Sequence, residues 1–202
     1  MTLTEKVTCQ NCQAANPAGQ RFCGECGNPL GIGTTAPDAY TPPHLAQKIL
    51  GSRSALEGER KQVTVLFCDL AGSTAIAERL GADTMHQVLE RFFALAMAEI
   101  HRYEGTVNQF LGDGLMALFG APVAREDHAR RAILAGLAIQ RTIADHAADF
   151  RGADLKLRVG LNTGPVVVGK IGDNLRMDYT AIGDTTNTAA RLQGAAEPGT
   201  IV

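Results

Sequence analysis

Apolar positions along the chain change rhythm several times, and each change marks an element. Val63–Cys68 is apolar except for Thr64, the pattern of a strand buried on both faces. From Ala82 to Tyr103 the rhythm becomes helical, with Leu89, Phe92, Phe93, Ala96, Ile100 and Tyr103 recurring on one side. Thr106–Leu111 and Leu115–Phe119 are short strand-like runs around Gly-Asp-Gly, a hairpin signal. Glu126–Phe150 reads as a second long helix with Ile133, Leu137, Ile139 and Ile143 inward. Leu155–Leu161 and Val166–Ile171 read as strands split by Asn-Thr-Gly-Pro, Tyr179–Ile182 as a short strand, and Thr185–Ala195 as a helix. Another short helix starts just after Asp69, with Ser73 or Thr74 as its expected cap. The order predicts an α+β domain, a largely antiparallel sheet with helices on one face.

Before this domain the pattern is different. Residues 31–59 form a linker rich in Gly, Pro and Thr, with room for a short helix at His44–Leu50. Residues 1–30 carry four of the five cysteines, as Cys9-x2-Cys12 and Cys23-x2-Cys26. That spacing predicts a zinc ribbon, four thiolates around one structural Zn²⁺. Thirty residues are too few to fold without the metal. Cys68, inside a buried run, is expected to be an inert core thiol. The main domain spans 60–202, and Thr200–Val202 resemble the start of a further strand, which points to a missing C-terminal end.

Of the 202 residues 45% are hydrophobic and 20% charged, an ordinary globular balance. The net charge of −2 gives no electrostatic case for nucleic acid or an anionic membrane. Charge interrupts every apolar run and no signal core opens the chain, so a cytoplasmic protein with no membrane segment is expected.

The chemistry concentrates at two aspartates. Asp69 and Asp113 each end a strand-like run and are followed by a glycine-bearing turn. Antiparallel neighbours can bring both carboxylates to one end of the sheet. Hard oxygen ligands there suit Mg²⁺, completed by substrate phosphates. The backbone amides at Gly72, Ser73 and Thr74 open a helix and suit phosphate oxygens. Asn187 and Arg191 stand four residues apart, on one helix face. The string GPVVVGKI, Gly164–Ile171, mimics a phosphate loop but ends in Ile where a metal-binding Ser or Thr is required, and is rejected.

Four stretches together carry a resemblance: VTVLFCDLAGST, NQFLGDGLMALFG, LRVGLNTGPVVVG and DYTAIGDTTNTAARL. They resemble the catalytic domain of class III adenylyl and guanylyl cyclases, which implies a ferredoxin-like, palm-type sheet. The resemblance implies catalysis at a head-to-tail homodimer interface, with ATP or GTP as substrate. It implies Asp69, Asp113 and the Leu70 backbone as ligands of two Mg²⁺ or Mn²⁺ ions. By the same resemblance Asn187 orients the ribose, Arg191 contacts the α-phosphate and Arg158 contacts phosphate. The base-selecting pair departs from the adenylyl pattern, with Gln109 where Lys is usual and Thr180 as its partner. A flippable amide can serve either purine edge, so adenine selectivity is expected to be relaxed: ATP is the favoured substrate and GTP stays open. Two other readings share these motifs: a cyclase-like domain that dimerises and senses without turnover, and a ribbon that docks a protein partner. All four core positions are present, which favours the enzyme.

Overall fold

The computed structural model describes residues 6–8, 13–17, 59–121, 123–168 and 184–202. Cys9, Cys12, Cys23, Cys26, Thr180, the predicted helix His44–Leu50 and the predicted strand Tyr179–Ile182 lie outside them. The chain divides into two units, Met1–Tyr40 and Thr41–Val202. In the first, β1 (Lys6–Thr8) pairs antiparallel with β2 (Ala15–Pro17).

The second unit is built on a five-stranded sheet. Its elements are β3 (Glu59–Leu70), α1 (Ser73–Leu80), α2 (Ala82–Arg102), β4 (Thr106–Leu111), β5 (Gly114–Phe119), α3 (His128–Asp145), β6 (Leu157–Val168), α4 (Asp184–Ala195) and β7 (Thr200–Ile201). The strand order is β4-β5-β3-β6-β7. All pairs are antiparallel except β6 with β7. The α+β, palm-type class therefore holds, as a mixed sheet with helices.

The helices divide between the two faces rather than gathering on one. Side chains alternate along a strand, so odd and even positions of β3 face opposite ways. Val63, Val65 and Phe67 form a core cluster with Ala189 of α4. Gly136 of α3 instead sits against Leu66, Val159 and Ile201. The extra face was concealed because α4 lies on glycine: a Cβ at Gly160 would strike the backbone of Ala189 and Gln193, and one at Gly164 would strike Thr185. Asn162 donates to the Thr185 carbonyl at 3.1 Å, and the Thr185 hydroxyl donates to the Pro165 carbonyl at 3.0 Å.

Those contacts also explain why β6 is unbroken. Asn-Thr-Gly-Pro reads as a turn in sequence, yet all four residues stay in register with β3, Pro165 opposite Gln62. Their turn chemistry serves helix docking instead. In the described residues β7 reaches only Arg158 and Val159, so Pro165 has no ladder to interrupt on that side. Val166–Val168 likewise belong to the strand rather than to a phosphate loop.

Two further expectations are corrected. The second long helix ends at Asp145, followed by a 3₁₀ turn at Ala147–Phe150. It buries Ala132, Ala135, Gly136, Ile139 and Ile143, while Ile133 and Leu137 are about half exposed. Small residues let α3 approach the sheet closely, which rotates the bulky aliphatics outward. The cap of α1 is Gly72, not Ser73 or Thr74: its φ of 70° lies in the left-handed region, and no side chain caps the helix. The α2 prediction holds over Ala82–Arg102, with Phe92, Ala96 and Ile100 buried. Among the described residues no helix is long and apolar enough to cross a membrane.

Candidate active site

β3 ends at Leu70, and its penultimate residue is Asp69. In register Asp69 stands between Gly114 of β5 and Arg158 of β6. Glycine is required at 114 because a Cβ there would meet the Cys68 carbonyl at 2.7 Å and the Asp69 Cβ at 2.9 Å. One residue earlier, Gly112 and Asp113 form a two-residue turn between paired Leu111 and Gly114. Gly112, with φ of 65°, supplies the left-handed first position that such a turn needs. The hairpin thus returns Asp113 beside the end of β3, and Asp69 and Asp113 line one cavity of about 100 Å³. Phe67, Leu111, Leu115 and Gln193 contribute to its walls.

Arg158 closes a two-pronged contact on Asp69. Its Nε donates to Oδ1 at 3.1 Å and an Nη to Oδ2 at 2.8 Å. These hydrogen bonds, then the Asp69 charge, hold the guanidinium above its ordinary range, and Asp113 adds to the same field. Beneath them Cys68 is buried, and that burial, with the neighbouring Asp69 charge, pushes its thiol well above the ordinary cysteine range. It is a protonated core thiol.

The donor set fits a divalent cation. Two carboxylates in one cleft are hard ligands, and Mg²⁺ or Mn²⁺ bound this way draws its remaining ligands from water and phosphate oxygens. The Leu70 backbone lies at the same strand end, in register with Leu157.

A bulge positions Gln109. Val107 pairs with Ala117 but Gln109 pairs with Met116, so Asn108 is an extra residue in β4. The insertion reverses the alternation: Gln109 lies on the Asp69 face, and Phe110 turns to the other, where its ring meets Phe93 edge-on at 4.8 Å. Gln109 is exposed. So are Asn187 and Arg191 on α4, and Arg191 lies 3.7 Å from the exposed Asp184. Such a contact contributes little. Within one chain, therefore, Asp69, Asp113 and Arg158 come together, and Asn187 and Arg191 are presented outward on the same sheet face. Gly72, Ser73 and Thr74 open α1, with the Ile76 amide donating back to the Gly72 carbonyl at 3.1 Å.

Sequence reading missed Gln193. It lies two residues past Arg191, on the side of α4 that meets the sheet, and it lines the carboxylate cavity. The signal was present in the helical phase: Ala189 and Gln193 are four apart, and Ala189 is buried.

The chain belongs to the family of adenylate and guanylate cyclase catalytic domains, whose pattern matches residues 57–202. A zinc-ribbon domain matches residues 8–30, a span containing all four N-terminal cysteines. Among curated proteins, adenylate cyclase 1 of Rhizobium meliloti (strain 1021) is 34% identical over 163 residues, 77% of this chain and 24% of that protein. Among solved structures, the guanylyl cyclase Cya2 superposes with a TM-score of 0.67 at 34% identity, covering 72% of this chain and 76% of that one. The adenylyl cyclase CyaB from P. aeruginosa gives a TM-score of 0.67 at 35% identity, covering 72% and 78%. The chain spans about a quarter of the length of the curated relatives it matches.

Proposed function

We propose that this domain is a nucleotidyl cyclase that converts ATP, with GTP as the competing substrate, to the 3′,5′-cyclic monophosphate and pyrophosphate. The observation that carries the reading is the convergence of Asp69, Asp113 and Arg158 on the sheet face that also bears Gln109 and an outward-facing Asn187 and Arg191. Asp69, Asp113 and the Leu70 backbone hold two Mg²⁺ or Mn²⁺ ions. Bound there, the metal supplies Lewis-acid polarisation of phosphate and a more acidic ribose hydroxyl.

The chain's own groups do the rest. The ribose 3′-oxygen forms a bond to the α-phosphorus, the bond from that phosphorus to the β-bridging oxygen breaks, and the hydroxyl proton leaves to solvent. Negative charge grows on the phosphoryl oxygens. Arg191 contacts the α-phosphate, Arg158 a neighbouring phosphate, and the amides of Gly72, Ser73 and Thr74 offer further donors. Asn187 orients the ribose, and Gln109 with Thr180 reads the purine edge.

Asn187 and Arg191 are exposed, not in the cavity of their own chain. A head-to-tail homodimer supplies them in trans, each copy completing its partner's carboxylate cleft. Cys9, Cys12, Cys23 and Cys26 hold a structural Zn²⁺, and the ribbon docks a protein partner. The test is product analysis after incubation with Mn²⁺ and either ATP or GTP. Cyclic monophosphate and pyrophosphate in equal amounts are expected. Nucleoside diphosphate and phosphate, or no turnover of either nucleotide, would contradict the reading.

A further inference from the structure

Backbone pairing alone does not fix the hairpin that carries Gln109 and Asp113. Among the described residues β4 is an edge strand, so β5 alone sets its register. Shifting a strand by one residue turns its side chains to the other face. The extra residue at Asn108 makes such a shift accessible, because a bulge can move along its strand. One step from the observed pairs, toward the turn, Asn108 would oppose Met116, Gln109 would oppose Leu115 and Phe110 would oppose Gly114. Leu111, Gly112 and Asp113 would then form a three-residue loop, an ordinary hairpin length. Gln109 would leave the Asp69 face, Phe110 would enter it, and Asp113 would move to the last place in the loop.

We propose that Phe93 of α2 is a positioning residue for this hairpin: its ring holds Phe110 on the α2 side of the sheet, traps the bulge at Asn108, and so keeps Gln109 and Asp113 facing the nucleotide. This rests on the reading of Gln109 as the purine-reading side chain and of Asp113 as a cation ligand. The bulge lies between two apolar anchors on one face. On one side Val107, 2% exposed, pairs with Ala117. On the other Phe110 pairs with Leu115 and meets Phe93 edge-on, with ring centres 4.8 Å apart. Phe93 is braced in turn by the buried Phe92, whose ring centre is 5.1 Å away. Moving the bulge toward the turn takes Phe110 out of this contact and sets the Gln109 amide against an aromatic ring, where a polar group loses water without gaining a partner. Moving it the other way lifts the buried Val107 out of the core. The ring pair favours the observed register by about two- to tenfold. Phe93 lies on the opposite face of the sheet from Asp69, so it acts only through the strand.

The test compares the full chain with Phe93→Ala, with a deletion of Asn108, and with both changes together. Cross-strand NMR contacts read the register, and steady-state kinetics with Mn²⁺-ATP read its effect. The wild type is expected to show Gln109 against Met116 and Phe110 against Leu115. Phe93→Ala should add a second set, Asn108 against Met116 and Gln109 against Leu115. A molecule in the shifted register is not competent to bind nucleotide, so KM should rise by about two- to tenfold while kcat is kept. Deleting Asn108 makes Val107–Ala117 and Gln109–Met116 consecutive pairs, so both faces are set without the ring. The double variant should therefore recover the wild-type pairing and KM. A Phe93→Ala protein that keeps the wild-type contacts and KM, even with a lowered melting temperature, overturns the proposal. So does a rise in KM that the deletion leaves in place. Should the deletion not fold, the contacts in Phe93→Ala alone decide: the shifted set upholds the proposal and the wild-type set overturns it. Gln109→Ala reports on the underlying reading. An unchanged ATP-to-GTP ratio there removes Gln109 from base selection, whereas the pairing seen in Phe93→Ala judges the role of Phe93 by itself.

Discussion

Replacing Gly160 by alanine tests whether α4 rests directly on the sheet. An ideal Cβ at Gly160 would lie 2.7 Å from the Gln193 Cα and would also strike the Gln193 nitrogen and the Ala189 carbonyl oxygen. These are backbone atoms of a helix, so no side-chain rotation relieves the clash. Overpacking of this kind costs about 1–3 kcal/mol. At roughly 3 °C per kcal/mol for a domain of this size, the melting temperature should fall by about 3–9 °C. Gly194 is the internal control, on the same helix with open space around its Cβ position. Gly194→Ala should stabilise by up to about 1 kcal/mol through helix propensity. The two substitutions add the same methyl group and are expected to have opposite signs. Turnover should separate them further, because lifting α4 displaces Asn187, Arg191 and Gln193 together, and a misplacement of about 1 Å can cost about a hundredfold in rate. The assay is calorimetry for the melts and product formation at a temperature where all three proteins are folded. A Gly160→Ala protein that melts with the wild type would refute the close packing of α4 on β6.

Three other outcomes follow from the same geometry. Mixing inactive Asp69→Asn and Arg191→Ala proteins should restore up to about a quarter of wild-type turnover, since half of randomly assorted dimers carry one intact site; no recovery at any ratio would rule out sites shared between copies. Gln109→Lys should raise the preference for ATP over GTP by about tenfold in kcat/KM, through one gained and one lost base hydrogen bond; an unchanged ratio would remove Gln109 from base selection. Cys68 should resist alkylation in the native protein near neutral pH, because burial and the Asp69 charge keep its thiol protonated, and become reactive on unfolding; peptide mass spectrometry reads the difference.

The legible parts of the sequence were those governed by local rules. The Gly-Asp-Gly turn could hardly be read otherwise, because its strands bracket two residues and Gly112 supplies the required backbone conformation. Asp69 was legible as the end of a buried run. The parts that escaped depend on tertiary contact. Asn162, Gly164 and Pro165 carry turn chemistry, yet the packing of α4 against them makes them a strand. Ile133 and Leu137 look like core by size, but close approach of Gly136 to Leu66 and Val159 sets the rotation of α3. The bulge at Asn108 leaves no periodic trace in a six-residue strand, and with it went the face on which Gln109 lies. Gln193 lies on the inward side of α4, and its place at the cavity is set by the docking of that helix on Gly160 rather than by any local pattern.

The paired carboxylates are tested most directly by Asp69→Ala and Asp113→Ala, assayed for conversion of Mn²⁺-ATP to cyclic AMP alongside thermal melts. Both side chains sit at strand ends, so each variant is expected to stay folded while losing turnover by at least about a thousandfold, as for removal of a core catalytic group. Wild-type cyclic AMP formation by either folded variant would contradict their role as the cation-holding pair.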